Sequence, residues 1–80
     1  MFSEEEKARL AVGYKQTMKA VKNKSVRKVY IADDCEDKIK NSIEEAVKNS
    51  DAEVYHIDSM RDLGKLCGIS TSASCAVILK

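Results

Sequence analysis

The residues best spaced for chemistry are Lys15, Gln16, Lys19 and Lys22, which follow Gly13. The three lysines recur at i, i+4 and i+7, one position behind Tyr14, Met18 and Val21, so a helix here would carry ammonium groups beside an apolar stripe. Gln16 and Asn23 add amides that both donate and accept hydrogen bonds. If the helix begins just after Gly13, Lys15 falls in its first turn, where the positive end of the dipole opposes a cation at a cost of roughly 0.3–1 kcal/mol. A docked anion would remove that conflict, because free backbone N–H groups and lysines would both point at it. A solvated basic helix face accounts for the same residues equally well.

Other chemistry finds less support. His56 is the single histidine, and strand alternation sets it opposite in sense to Tyr55 and Ile57, which predicts a half-buried structural role. Cys35, His56, Cys67 and Cys75 make a nominal set of four zinc ligands, but no two stand at the short paired spacing zinc sites use. Cys67 and Cys75 read as small core residues. Cys35, beside Asp33 and Asp34, has nothing to depress its thiol pKa. The glycines at 13, 64 and 68 form no phosphate loop, so no nucleotide cofactor, and no cofactor of any other kind, is expected. The chain reads as a binding protein and not an enzyme. Tyr14 and Tyr30 lack the flanking residues of an RNA-stacking sheet, so RNA would have to be held by a helix end and loops. The stretch Ile69-Ser70-Thr71-Ser72-Ala73-Ser74 suits such a role, with hydroxyls and amides for a sugar-phosphate backbone and Ile69 for an unstacked base. The same composition also serves as a flexible connection.

Eighty residues make one domain, residues 1–80, with room for a single core. Ser3 ahead of three glutamates predicts an N-capped helix to about Ala11. Val12–Tyr14 forms either a brief strand or a joint, and the basic helix ends near Asn23–Ser25. Val26–Ala32 contains the apolar run Val29-Tyr30-Ile31-Ala32 and predicts a central strand covered on both faces. Asp33 and Asp34 close it with capping chemistry. A helix from about Glu36 to Asn49 buries Ile39, Ile43, Ala46 and Val47, and Glu53–Ile57 forms the next strand. This βαβ unit should be parallel and right-handed. Ser59 with Asp62 caps a helix that stops at Gly68, and Cys75–Leu79 is a last buried strand. The expected fold is α/β, a three-layer α/β/α sandwich around a mixed, roughly four-stranded sheet.

The net charge of +1 hides a strong asymmetry. Residues 7–28 hold eight bases and no acid, whereas residues 33–62 hold ten acids against four bases. A local positive field follows, suited to a polyanion bound by shape and not to indiscriminate coating of nucleic acid. No apolar run approaches the ~20 residues of a membrane span. The acidic opening Ser3–Glu6 and the odd thiol count predict an intracellular, cytoplasmic protein without membrane association.

Two segments together resemble the kink-turn-binding family of ribosomal proteins L7Ae and L30e. Gly13-Tyr14-Lys15-Gln16-Thr17-Met18-Lys19-Ala20-Val21 is similar to the family's RNA-contacting helix start. Leu63-Gly64-Lys65-Leu66-Cys67-Gly68-Ile69 resembles the segment leading into its second RNA loop. With the strand Val29–Asp33 and the closing Ala76-Val77-Ile78, the likeness spans about residues 10–80, and small bacterial members are close to this length. Many archaeal members carry Asn-Glu where this chain has Lys15-Gln16, a pair that resembles the bacterial form. Tyr14 stands where a small residue is more usual.

The resemblance implies recognition of kink-turns, in which tandem sheared G·A pairs sit beside a sharply bent three-nucleotide bulge. Lys15 and Gln16 would then meet guanine edges, Lys19 a guanine or phosphate, and Gly13 would allow close backbone approach. Lys22 extends the same row. Ile69, Ser70, Thr71 and Ser72 would cover the extruded nucleotide. The expected partner is structured RNA, such as ribosomal RNA or a riboswitch and not DNA, bound by a monomer. The alternatives are a protein-interaction module with a basic docking face and a thiol- or metal-regulated module built on the cysteines and His56.

Overall fold

The seven-residue strand β2 (Val26–Ala32) sits inside a four-stranded sheet, flanked by β4 (Cys75–Leu79) and β3 (Glu53–Ile57). The computed structural model describes residues 2–80. The strand order is β1-β4-β2-β3, with β1 covering Leu10–Val12. β2 runs parallel to β3, with Tyr30 opposite Tyr55, and the crossover is helix α3 (Asp37–Val47). β4 is antiparallel to both its neighbours, with Val77 opposite Val29 on one side and Ala11 on the other. The sheet is therefore mixed, as the alternation of patterns predicts.

Helices cover both faces. α2 (Tyr14–Lys22) and α3 pack on one, while α1 (Glu4–Ala8) and α4 (Met60–Cys67) lie on the other. Val29 and Ile31 of β2, Val77 of β4, Ile43 of α3 and Leu63 of α4 are wholly buried. Each such side chain contributes roughly 1.5–3 kcal/mol of burial free energy. Among the described residues, no helix is long and apolar enough to cross a membrane.

Four local departures from expectation have physical causes. α1 stops at Ala8, short of Ala11, because Leu10–Val12 pairs with β4 and the Leu79 N–H donates to the Arg9 carbonyl at 2.8 Å. Strand pairing wins over helical propensity there, while Ser3 and Glu6 form a reciprocal capping box. In α2 the buried residues are Thr17, Ala20 and Val21, so Tyr14 and Met18 stand at the margin of the apolar stripe. Asp34 leaves α3 uncapped and instead accepts the Met60 N–H at 2.7 Å, tying the β2–α3 loop to the start of α4. His56 is exposed, contrary to the half-buried role expected of it, because β3 is an edge strand open on both faces. Its Nδ1 lies 3.0 Å from Asp33 and its Nε2 3.8 Å from Glu44.

Candidate nucleic-acid interface

The start of α2 is shaped by Gly13. Its φ of 111° lies where only glycine is comfortable, and a side chain there would be strained even though no atom stands within 4 Å of a built Cβ. The Gly13 N–H donates to the Cys75 carbonyl at 2.9 Å, and its own carbonyl accepts from Thr17 at 3.0 Å. That first bond pins the head of α2 to the first residue of β4, where the 69–74 loop ends. No side chain caps α2 and no acid occupies its first turn. The first-turn amides are thus left to whatever docks there.

Lys15, Gln16, Lys19 and Lys22 are all exposed, and among the described residues none of the three lysines takes part in an ion pair. Lys22 lies about 10 Å along the axis from Lys15, at 1.5 Å per residue. Gln16, Lys19 and Asn23 border a trough of about 190 Å³ between α2 and the sheet edge, floored by Ala11, Ala20 and Leu79. Amide and ammonium groups therefore line an apolar-floored channel.

The loop after α4 is held at several points. Gly68 ends the helix in the left-handed conformation, with φ 76°. The Ile69 N–H donates to the Gly64 carbonyl at 3.1 Å and the Ala73 N–H to the Met60 carbonyl at 3.0 Å. At its far end Ser74 accepts from the Ala32 N–H at 2.9 Å. Between these anchors Ile69, Ser70, Thr71 and Ser72 are exposed, while Ala73 is buried as a plug. Ile69 is among the few large apolar side chains left open to solvent.

Gly64 is the residue whose role the sequence reading missed. It is buried within α4, and a Cβ there would collide with the Thr71 carbonyl oxygen. The helix thus carries the loop directly against its own backbone. The available signal was an isolated glycine in a helical pattern, disfavoured by about 1 kcal/mol against alanine unless something approaches closely.

The groups named for the thiol or metal alternative do not converge. All three cysteines are free and buried, and burial pushes each thiol pKa up. At Cys75 the nearby Thr17 and Ser74 hydroxyls work against that rise. Among the described residues no three histidine, cysteine or acidic groups gather as a metal would require. His56 stands on β3, separated from β4 by β2.

Comparisons with known proteins show the family and the fold. The family model described as the ribosomal protein L7Ae/L30e/S12e/Gadd45 family matches residues 3–80. The RNA-binding protein TTE2299 of Caldanaerobacter subterraneus subsp. tengcongensis is 45% identical over 65 residues, covering 81% of this chain and 79% of that protein. The RNA-binding protein BH0128 of Halalkalibacterium halodurans is 37% identical over 71 residues, 89% of this chain and 87% of its own. The RNA-binding protein YbxF of Geobacillus stearothermophilus is 32% identical over 72 residues, covering 90% and 88%. A solved structure of a protein of unknown function from Bacillus halodurans superposes with a TM-score of 0.83 at 20% identity, over 95% of this chain and 76% of that one, and so shares the fold. With the family model spanning nearly every residue, this chain belongs to the ribosomal protein L7Ae/L30e/S12e/Gadd45 family.

Proposed function

We propose that this protein binds RNA at kink-turns, without catalysing a reaction, by setting the first turn of α2 against the distorted groove and the 69–72 loop against the extruded nucleotide. The observation that supports the proposal is the 2.9 Å bond from Gly13 to Cys75, which ties the head of α2 to the residue at which the 69–74 loop ends. Lys15 and Gln16 reach guanine edges, Lys19 a guanine or phosphate, and Lys22 a phosphate further along the strand. Gly13 lets the RNA backbone approach, and Ile69, Ser70, Thr71 and Ser72 close over the bulged base. Relatives bearing the name RNA-binding protein support the choice of polyanion. Such a protein, working in the cytoplasm as a monomer, stabilises the bent RNA by binding it in preference to the extended form.

A bidentate contact to a base edge carries ~1–3 kcal/mol of discrimination. Gel-shift titration of Gln16→Ala and Lys19→Ala with a kink-turn RNA should therefore show affinity falling by about tenfold or more for each. The Lys38→Ala control, on α3, should match the parent. Unchanged affinity in either α2 variant would count against the proposal.

A further inference from the structure

The outer face of α2 holds two side chains, Tyr14 and Met18, that the kink-turn contacts leave unused. Tyr14, Lys15, Met18, Lys19 and Lys22 line an open trough of about 430 Å³. Tyr14 is 36% exposed, and among the described residues its hydroxyl meets no hydrogen-bond partner. Tyr55, exposed to a similar degree, is already occupied, stacked on Tyr30 with ring centroids 5.2 Å apart and bonded through its hydroxyl to Glu53. Among the described residues, Tyr14 therefore offers a ring with no aromatic partner, Met18 follows one turn along, and lysines outside any ion pair run beside them. An aromatic platform with cations at its margin matches a planar base on a polyanionic strand. One nine-residue helix showing two apolar side chains is small against the ~800 Å² per side of a stable protein interface. The balance of charge to apolar surface thus favours nucleic acid over an acidic protein.

We propose that this face is a second RNA subsite, in which Tyr14 stacks on an unpaired base flanking the kink and Met18 packs beside it, with Lys22 on a phosphate of the strand that joins this base to the kink. The inference rests on the reading that RNA reaches α2, and it adds a contact to single-stranded RNA outside the kink-turn itself. It makes the protein sensitive to whether the helices beside the kink end flush or continue as unpaired strand.

Three RNAs test this: a kink-turn with flush ends, and the same RNA with a short adenosine overhang on one helix end or on the other. The wild-type chain should bind one overhang RNA at least about fivefold more tightly than the flush one. Tyr14→Thr should lose that gain and Tyr14→Phe keep it, the gain being read for each chain as its own ratio of overhang to flush affinity. In Tyr14→Trp, the overhang should quench tryptophan fluorescence and the flush RNA should not. No gain from either overhang, or a gain that survives Tyr14→Thr, would overturn the subsite. So would quenching by an acidic aromatic-containing peptide with none by the RNAs, which would mark a protein-docking face. If no kink-turn RNA binds at all, the kink-turn reading fails separately. A short oligoadenylate then decides the subsite, with Tyr14-dependent binding supporting it and no binding overturning it.

Discussion

Gly64 and Thr71 lie so close that no side-chain carbon fits between the α4 backbone and the Thr71 carbonyl. This contact packs the Thr71–Ser72 backbone against α4, and Gly64 sits on a fully helical stretch where nothing else calls for glycine. Gly64→Ala must move the loop or the helix. Overpacking of this kind typically costs ~1–3 kcal/mol. Urea denaturation should show that loss, and RNA affinity should fall with it because Ile69–Ser72 are displaced. Wild-type stability in Gly64→Ala would mean the loop yields freely.

Gly13 makes a different demand. There is open space around its α-carbon, so the cost of Gly13→Ala comes from backbone strain alone, roughly 1–3 kcal/mol at φ 111°. A semisynthetic chain with D-alanine at 13, which favours positive φ, should recover most of the lost stability in the same denaturation assay. Equal losses for the two alanine enantiomers would contradict the strain argument.

The lysine row makes a prediction about salt. Each phosphate contact contributes about 0.7–0.9 to the slope of log affinity against log salt. Lys22→Ala should lower that slope by about one and weaken kink-turn and other bound RNAs alike. Gln16→Ala should leave the slope near the parent value while reducing discrimination between sequences.

The acid side of the stability curve has one identifiable source in α1. The Ser3 backbone N–H and the Lys28 ammonium, 3.4 Å away, hold the Glu6 carboxyl below the usual carboxylate range. A depressed folded-state pKa contributes stability that is present above the unfolded value and lost as pH falls through the folded one. Glu6→Gln should therefore be less stable than the parent near neutral pH, with the gap closing in acid. Because Glu6 is at the surface the effect should be small, and added salt should shrink it. A gap that is constant with pH would point to the capping geometry alone.

The three thiols give a compartment-independent check on the core. Burial raises the pKa of Cys35, Cys67 and Cys75, so little reactive thiolate exists near neutrality in the folded chain. A thiol reagent at mildly alkaline pH should react slowly with the native protein and promptly with all three cysteines in denaturant. Fast native labelling at Cys75 would mean that the junction beneath Gly13 opens readily.

Most of the frame was legible in the residues. The continuous run Val29–Ala32 marks a strand buried on both faces, and the spacing of Ile39, Ile43 and Val47 fixes the helix that returns to a parallel neighbour. The Ser59 cap and the Gly68 stop bound α4 as their chemistry requires. What stayed hidden depends on pairing across the chain. Nothing local in Arg9–Val12 tells that these residues will leave a helix for the edge of β4. His56 looked half-buried because alternation gives its direction and says nothing about whether β3 has a neighbour beyond it. At the candidate site, the lysine row and the small polar loop could be read from spacing and composition. The bond from Gly13 to Cys75, and the packing of Thr71 against Gly64, depend on tertiary structure.

Kink-turn recognition shows itself in the shape of the RNA. A kink-turn labelled with donor and acceptor dyes on its two helical arms, held extended at low magnesium, is titrated with the protein while energy transfer is recorded. Transfer should rise saturably as the arms fold together, with the rise abolished when the sheared G·A pairs are replaced by Watson–Crick pairs and strongly weakened by Gln16→Ala. Binding with no rise in transfer, or an equal response from the Watson–Crick control, would rule out recognition of the kinked form.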